Sequence, residues 1–122
     1  MKKPLISLLL AACLLGLMAC GQKDVLHLGL NAEITAVDPG QRMITVKDLD
    51  ADGPFGGGCL IECGEADILY CNYKTCDVKF IDFADLRIGD HVILGIYEKE
   101  LNHVADNHLK AAQVQLGTQR LN

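Results

Sequence analysis

From Leu28 onward the chain alternates apolar and polar residues: Leu28, Leu30, Ala32, Ile34 and Ala36 are interleaved with Gly29, Asn31, Glu33 and Thr35. A period of two sends successive side chains to opposite sides of an extended backbone, so this run predicts a half-buried strand. Asp38-Pro39-Gly40-Gln41 follows as a turn, in which Pro presets φ and Gly accepts a positive one. Ile44 and Val46, opposed to Met43, Thr45 and Lys47, make a second strand, and the two strands form a hairpin. Val78 to Phe83 predicts a third strand. Ala84 to Asp90 predicts a tight connection of one helical turn ended by Gly89. A fourth strand runs from His91 to Glu98 with Val92, Leu94 and Ile96 inward. Lys99 to His108 is a polar link to a last strand, where Ala112, Val114 and Leu116 alternate with Gln113 and Gln115. No segment repeats, and no long amphipathic helix is suggested.

Short strands joined by hairpins must dispose of their edges, and closure into a barrel does so. The expected fold is therefore all-β, a small five-stranded OB-like barrel with a cysteine-rich hairpin insertion. Its core would hold Ile34, Val46, Phe80, Val92, Leu94 and Val114. The segments Glu33-Ile34-Thr35-Ala36-Val37-Asp38, Met43-Ile44-Thr45-Val46, Asp85-Leu86-Arg87-Ile88-Gly89-Asp90-His91-Val92 and Ala112-Gln113-Val114 carry a resemblance. Over residues 30–116 they look like the frame of small periplasmic OB-fold proteins, among them the copper and silver chaperones of efflux systems. The resemblance implies the barrel but not the metal site. Those chaperones hold the ion with a His just after the second strand, a Trp and two Met. Here Lys47 and Asp48 follow Ile44-Thr45-Val46, and the chain has no Trp.

Ahead of the strands, Met1 to Ala19 has the form of a secretory signal: Lys2 and Lys3, an apolar core from Leu5 through Leu17, then small residues. The run falls short of the roughly 20 apolar residues that span a bilayer. Leu17-Met18-Ala19-Cys20 resembles the bacterial lipobox, which implies cleavage before Cys20 and attachment of acyl chains at Cys20. Two or three chains anchor firmly, since each buried methylene adds roughly 0.8 kcal/mol. Gly21 stands where an Asp would retain such a lipoprotein at the inner membrane, so the resemblance implies the outer membrane, facing the periplasm. The expected divisions are residues 1–19 as lipoprotein signal, 20–27 as lipidated tether and 28–122 as the barrel domain.

Removal of residues 1–19 leaves enough chain for one domain and not two. It also takes two of the eleven cations, leaving nine against sixteen acids, a formal charge of −7. An acidic surface repels phosphate backbones, so nucleic acid is not an expected partner. The absence of Trp argues against a platform for stacking sugars or bases.

Cys59, Cys63, Cys71 and Cys76 are the residues with the most chemistry to offer. In an oxidising compartment an even set of cysteines in a small domain predicts disulfides. A hairpin turning at Asp67 would bring Cys63 opposite Cys71 and Cys59 nearly opposite Cys76, each bridge contributing roughly 3 kcal/mol. The same four thiols at C-x3-C-x7-C-x4-C spacing are the alternative ligand set for copper or zinc. A redox-active pair is disfavoured by the absence of C-x-x-C. Asp48-x-Asp50-x-Asp52-Gly53 has the spacing of the first half of a calcium loop, but the closing Glu is replaced by Cys59. His27 and His91 fall at surface positions on strands, and His103 and His108 fall in the polar link. No Ser-His-Asp set or phosphate-cradling loop can be assembled. The expectation is a monomeric, lipid-anchored binding or scaffolding module of the cell envelope with a protein partner, no cofactor and no enzymatic activity. Metal handling through the cysteines and thiol-redox chemistry are the alternatives.

Overall fold

A computed structural model describes residues 24–122, so the lipobox, Cys20 and the start of the tether lie outside the described residues. Among the described residues there are eight strands: β1 (Leu26–Asp38), β2 (Met43–Asp48), β3 (Cys59–Glu62), β4 (Asp67–Cys71), β5 (Val78–Phe80), β6 (His91–Tyr97), β7 (His108–Lys110) and β8 (Gln113–Leu116). A single helical turn, α1 (Glu98–Leu101), follows β6. Among the described residues no helix is long and apolar enough to cross a membrane.

The all-β class holds, and the strands form one open sheet in the order β5-β4-β8-β6-β1-β2-β3-β7. The five expected strands are all there, joined by β3, β4 and the unforeseen β7. Strand β1 is long enough to serve two neighbours. Its first part pairs with β6 from Leu26↔Tyr97 to Glu33↔His91, and its second with β2 from Ala32↔Asp48 to Asp38↔Met43. Two irregularities bend it, one between Leu28 and Leu30 and one between Ile34 and Ala36. The first contains Gly29, whose φ of 102° is open to glycine and strained for other residues. At the β1–β2 turn Asp38 Oδ1 accepts the Gln41 N–H at 3.2 Å. The residue with positive φ there is Arg42 rather than the expected Gly40.

The stretch from β7 through β8 ties distant strands together. β7 pairs in parallel with β3, and two residues later β8 pairs in parallel with β4 and antiparallel with β6. The intervening Ala111 and Ala112 keep their backbone groups satisfied across the bend: Ala111 N–H donates to Glu62 O at 3.0 Å and Ala112 N–H to Gly95 O at 2.9 Å. The insertion expected to fold as a hairpin about Asp67 does not. β3 is flanked by β2 and β7, and β4 by β5 and β8, so β3 and β4 face each other nowhere in the ladder.

Ile34, Ile44, Val46, Ile61, Val92, Leu94, Ile96, Leu109, Val114 and Leu116 are fully buried, as alternation requires. Phe80 is a correction: it is 76 % exposed, because β5 is a three-residue strand at the sheet's end with no residue buried. Phe55, Tyr70 and Phe83 supply the aromatic packing instead. The connection before β6 is a 3₁₀ turn at Phe83–Asp85, and Gly89, with φ of 91°, belongs to the tight turn after it. Asp90 is the one buried charged residue among those described. Arg120 meets it with Nε to Oδ1 at 3.2 Å and Nη2 to Oδ2 at 2.6 Å, while Arg87 N–H donates to Oδ2 at 2.8 Å. The guanidinium, itself held more basic than usual chiefly by that hydrogen bond, pins the C-terminal segment beneath β6.

Core and edge positions will separate on truncation. Leu94→Ala should cost about 2–5 kcal/mol in denaturant unfolding, whereas Phe80→Ala should stay within about 0.5 kcal/mol because its ring is already in water. Comparable losses would mean that β5 packs inward.

Candidate functional site

The most exposed apolar group lies on the hairpin of β4 and β5. Register fixes the pair: Leu69↔Phe80, Tyr70↔Lys79 and Cys71↔Val78. Asn72 organises the turn, its Oδ1 accepting the N–H groups of Lys74 at 2.9 Å and Thr75 at 3.3 Å. Its carbonyl accepts Cys76 N–H at 2.7 Å, and Cys76 takes a left-handed φ of 63° that lets the chain return. Gln119 braces the turn from the C-terminal segment, its Nε2 donating to Cys71 O at 2.8 Å and its Oε1 accepting Tyr73 N–H at 2.9 Å. Lys79 points to one side, donating to Leu121 O at 3.2 Å and lying 5.7 Å above the Tyr70 ring. Val78 and Phe80, an even interval apart, stand on the other side, and Tyr73 is exposed at the tip. The result is a braced hairpin with three apolar side chains in water and an outer strand edge that has no partner strand among the described residues.

The four cysteines divide between core and hairpin. Cys59 and Cys63 flank buried Ile61 on the inner face of β3, whereas Cys71 is half-buried and Cys76 exposed on the hairpin. All four are free thiols. The facing strands that suggested Cys63–Cys71 and Cys59–Cys76 bridges are absent. Cys63 lies in the turn before β4 and Cys71 at the far end of β4, a strand of about 13 Å. Burial pushes the Cys63 thiol up to about 12 against an opposing pull from Arg42. Burial, aided by Asp48, also raises Cys59. The hydrogen-bonding contacts of the Cys59, Cys63 and Cys71 sulfurs run to the backbone oxygens of Leu60, Ile61 and Asn72.

Other candidate ligands are engaged structurally. Among the described residues no three His, Cys, Asp or Glu side chains gather as a metal-holding group. Asp48, first of the calcium-like triplet, accepts the N–H groups of Phe55 at 2.9 Å and Gly56 at 2.6 Å, which closes the acidic loop on itself. A Cβ at Gly53 would come within 2.2 Å of the Asp48 carboxylate, which is why glycine stands there. Asp50 instead accepts from Asn31 Nδ2 at 3.2 Å, and Asn31 Oδ1 lies 3.0 Å from His91 Nε2. This chain of three side chains clips the loop to β1 and β6. His27, His103 and His108 lie near Glu98, Asp106 and Glu62 at 3.7, 3.8 and 3.3 Å.

A groove elsewhere on the molecule went unforeseen in the sequence. A groove of about 360 Å³ is lined by Asp24, Glu65, Tyr97, Lys99, Glu100, Lys110, Ala111 and Ala112. Its residues come from four separate segments, so no local motif announces it.

Compared with protein-family models, with curated proteins and with solved structures, the chain gives no match. The site itself is therefore the basis for any assignment.

Thiol accessibility checks this geometry. In the reduced, folded protein at mildly alkaline pH, iodoacetamide should label Cys76 first and Cys71 more slowly, with Cys59 and Cys63 reacting only after unfolding. Early labelling of Cys63, read by peptide mass spectrometry, would contradict the burial of β3.

Proposed function

We propose that this protein is a lipid-anchored binding module of the bacterial cell envelope, held through Cys20 at the outer membrane and engaging a protein partner with the β4–β5 hairpin. The observation that carries the reading is the exposed apolar trio Tyr73, Val78 and Phe80 on a braced edge hairpin, since edge strands with open backbone groups recruit extended segments of other proteins. Its position supports the same reading. Leu26, at the start of β1, pairs with Tyr97 at the end of β6. Tyr70 pairs with Leu116, which pairs with Val92 near the other end of β6, and the hairpin turn begins two residues beyond Tyr70. The tether and the hairpin turn thus leave from opposite ends of β6, a seven-residue strand of about 20 Å. A module anchored at one end would present the hairpin away from the bilayer.

The finer architecture in this proposal is an OB-like barrel. The path β1-β2-β3, then β3 parallel to β7, then β8 antiparallel to β6 and β6 back to β1 is the support for it. The lipobox carries the anchor, and the anchored chain functions as a monomer.

Two measurements on cells test the proposal. Cys20→Ser should be missing from the outer-membrane fraction and keep its signal segment uncleaved; outer-membrane fractionation with normal processing would remove the anchor. A photoreactive residue at Phe80 should give a defined adduct with one envelope protein, and the same residue at exposed Leu49 should not. Identical adducts from both positions, or none from Phe80, would remove the hairpin as the binding surface.

A further inference from the structure

The groove at the tethered end carries charges that the fold leaves without partners. Lys99 and Lys110 line it, and neither ammonium has an ion-pair or hydrogen-bond partner among the described residues. Two of its three carboxylates are occupied by backbone: Asp24 Oδ1 accepts Lys99 N–H at 2.8 Å and Glu100 Oε1 accepts Lys110 N–H at 3.0 Å. Glu65, exposed on the turn between β3 and β4, is the third and makes no such contact. The walls therefore offer two ammoniums without a partner and three carboxylates, of which Glu65 alone has both oxygens free of backbone, around about 360 Å³, with the Tyr97 ring and two alanines as the apolar part.

That combination suits a small zwitterion with its negative group between two ammoniums and its own ammonium against a carboxylate. A primary ammonium has three donors to offer Glu65, whereas a quaternary one has none. Surroundings point to the source. Asp24 lies four residues after Cys20, a reach of at most about 14 Å. Val25 and Leu28 are exposed apolar residues beside it, with Leu28 lying over Gly95 so closely that a Cβ there would come within 2.7 Å of its side chain. Apolar residues and a tyrosine around a charged groove are suited to a membrane interface.

We propose that this groove binds the phosphoethanolamine headgroup of the bilayer on which the protein is anchored, with Lys99 and Lys110 on the phosphate and Glu65 on the ammonium. The assignment of the bilayer as source rests on the anchor proposed above, whereas recognition of the headgroup chemistry does not.

The test is lysine footprinting of the full chain, with acetylation followed by mass spectrometry. In neutral detergent, soluble O-phosphoethanolamine at saturation should slow acetylation of Lys99 and Lys110 by about tenfold relative to exposed Lys74 in the same sample, which corrects for reagent taken up by the compound's own amine. Inorganic phosphate should protect less. On vesicles, phosphatidylethanolamine should protect both lysines more than phosphatidylcholine alone, and Glu65→Gln should abolish that difference. Protection by the soluble compound without protection by phosphatidylethanolamine vesicles would overturn the bilayer as source. No protection by either, or equal protection of Lys74, would overturn the site. The detergent experiment needs no anchor, so a failure of lipidation at Cys20 would show separately in fractionation.

Discussion

The stretch from His108 to Leu116 holds the end of the sheet to its middle. Its first three residues lie parallel to β3, and after the bend at Ala111 and Ala112 it runs between β4 and β6. Leu109, Ala111, Val114 and Leu116 are all buried, so the same residues that turn the chain also fill the core. Because an interior polar backbone group without a partner is costly, such a bend is stable only if every N–H and carbonyl finds a neighbour. Three of the four groups at the bend have theirs: Glu62 O and Gly95 O accept from the two alanines, and Asp67 N–H donates to Ala112 O at 3.1 Å. The groove with Lys99 and Lys110 opens on this bend, and β4, which carries the hairpin, is held against β8.

The molecule is consequently two-ended. At the end proposed to carry the tether lie the start of β1, Tyr97, α1 and a groove with unpaired charges of both signs. At the other lie the hairpin turn, Gln119 and the Asp90–Arg120 pair, which fixes the C-terminal segment where it can brace Cys71 and Tyr73. Removing one partner of so enclosed a pair strands the other's charge, at a cost of about 3–5 kcal/mol. The pair is better understood as what keeps the hairpin support in register than as a source of net stability. The acidic loop after β2 is handled in the same way, since Asp48 turns its charge onto two backbone N–H groups and Asp50 is clipped to β1 through Asn31.

Alternation made β1, β2, β6 and β8 legible in the sequence, and Val92, Leu94, Ile34 and Val114 are buried as their period of two requires. It failed where strands are short. β7 has three residues and one buried side chain, Leu109, too little for a period to register. Phe80 alternates as a core residue would, but periodicity describes a face and cannot say whether anything covers it. The cysteine spacing pointed to a hairpin because midpoints coincided near Asp67, yet strand pairing answers to long-range partners: β3 and β4 each found better neighbours from the C-terminal stretch. The groove could not have been read at all, since Asp24, Glu65, Tyr97 and Lys110 meet only through those same pairings.

The orientation proposed for the domain places its tether at one end and its hairpin outward at the other. It is tested most directly by environment-sensitive fluorophores attached at Tyr97 or at Tyr73 in the lipidated protein on vesicles that contain a quencher buried at the lipid headgroups. The account requires strong quenching at position 97 and little at position 73, which lies at the far end of a strand of about 20 Å. Equal quenching at both positions, or stronger quenching at 73, would contradict it.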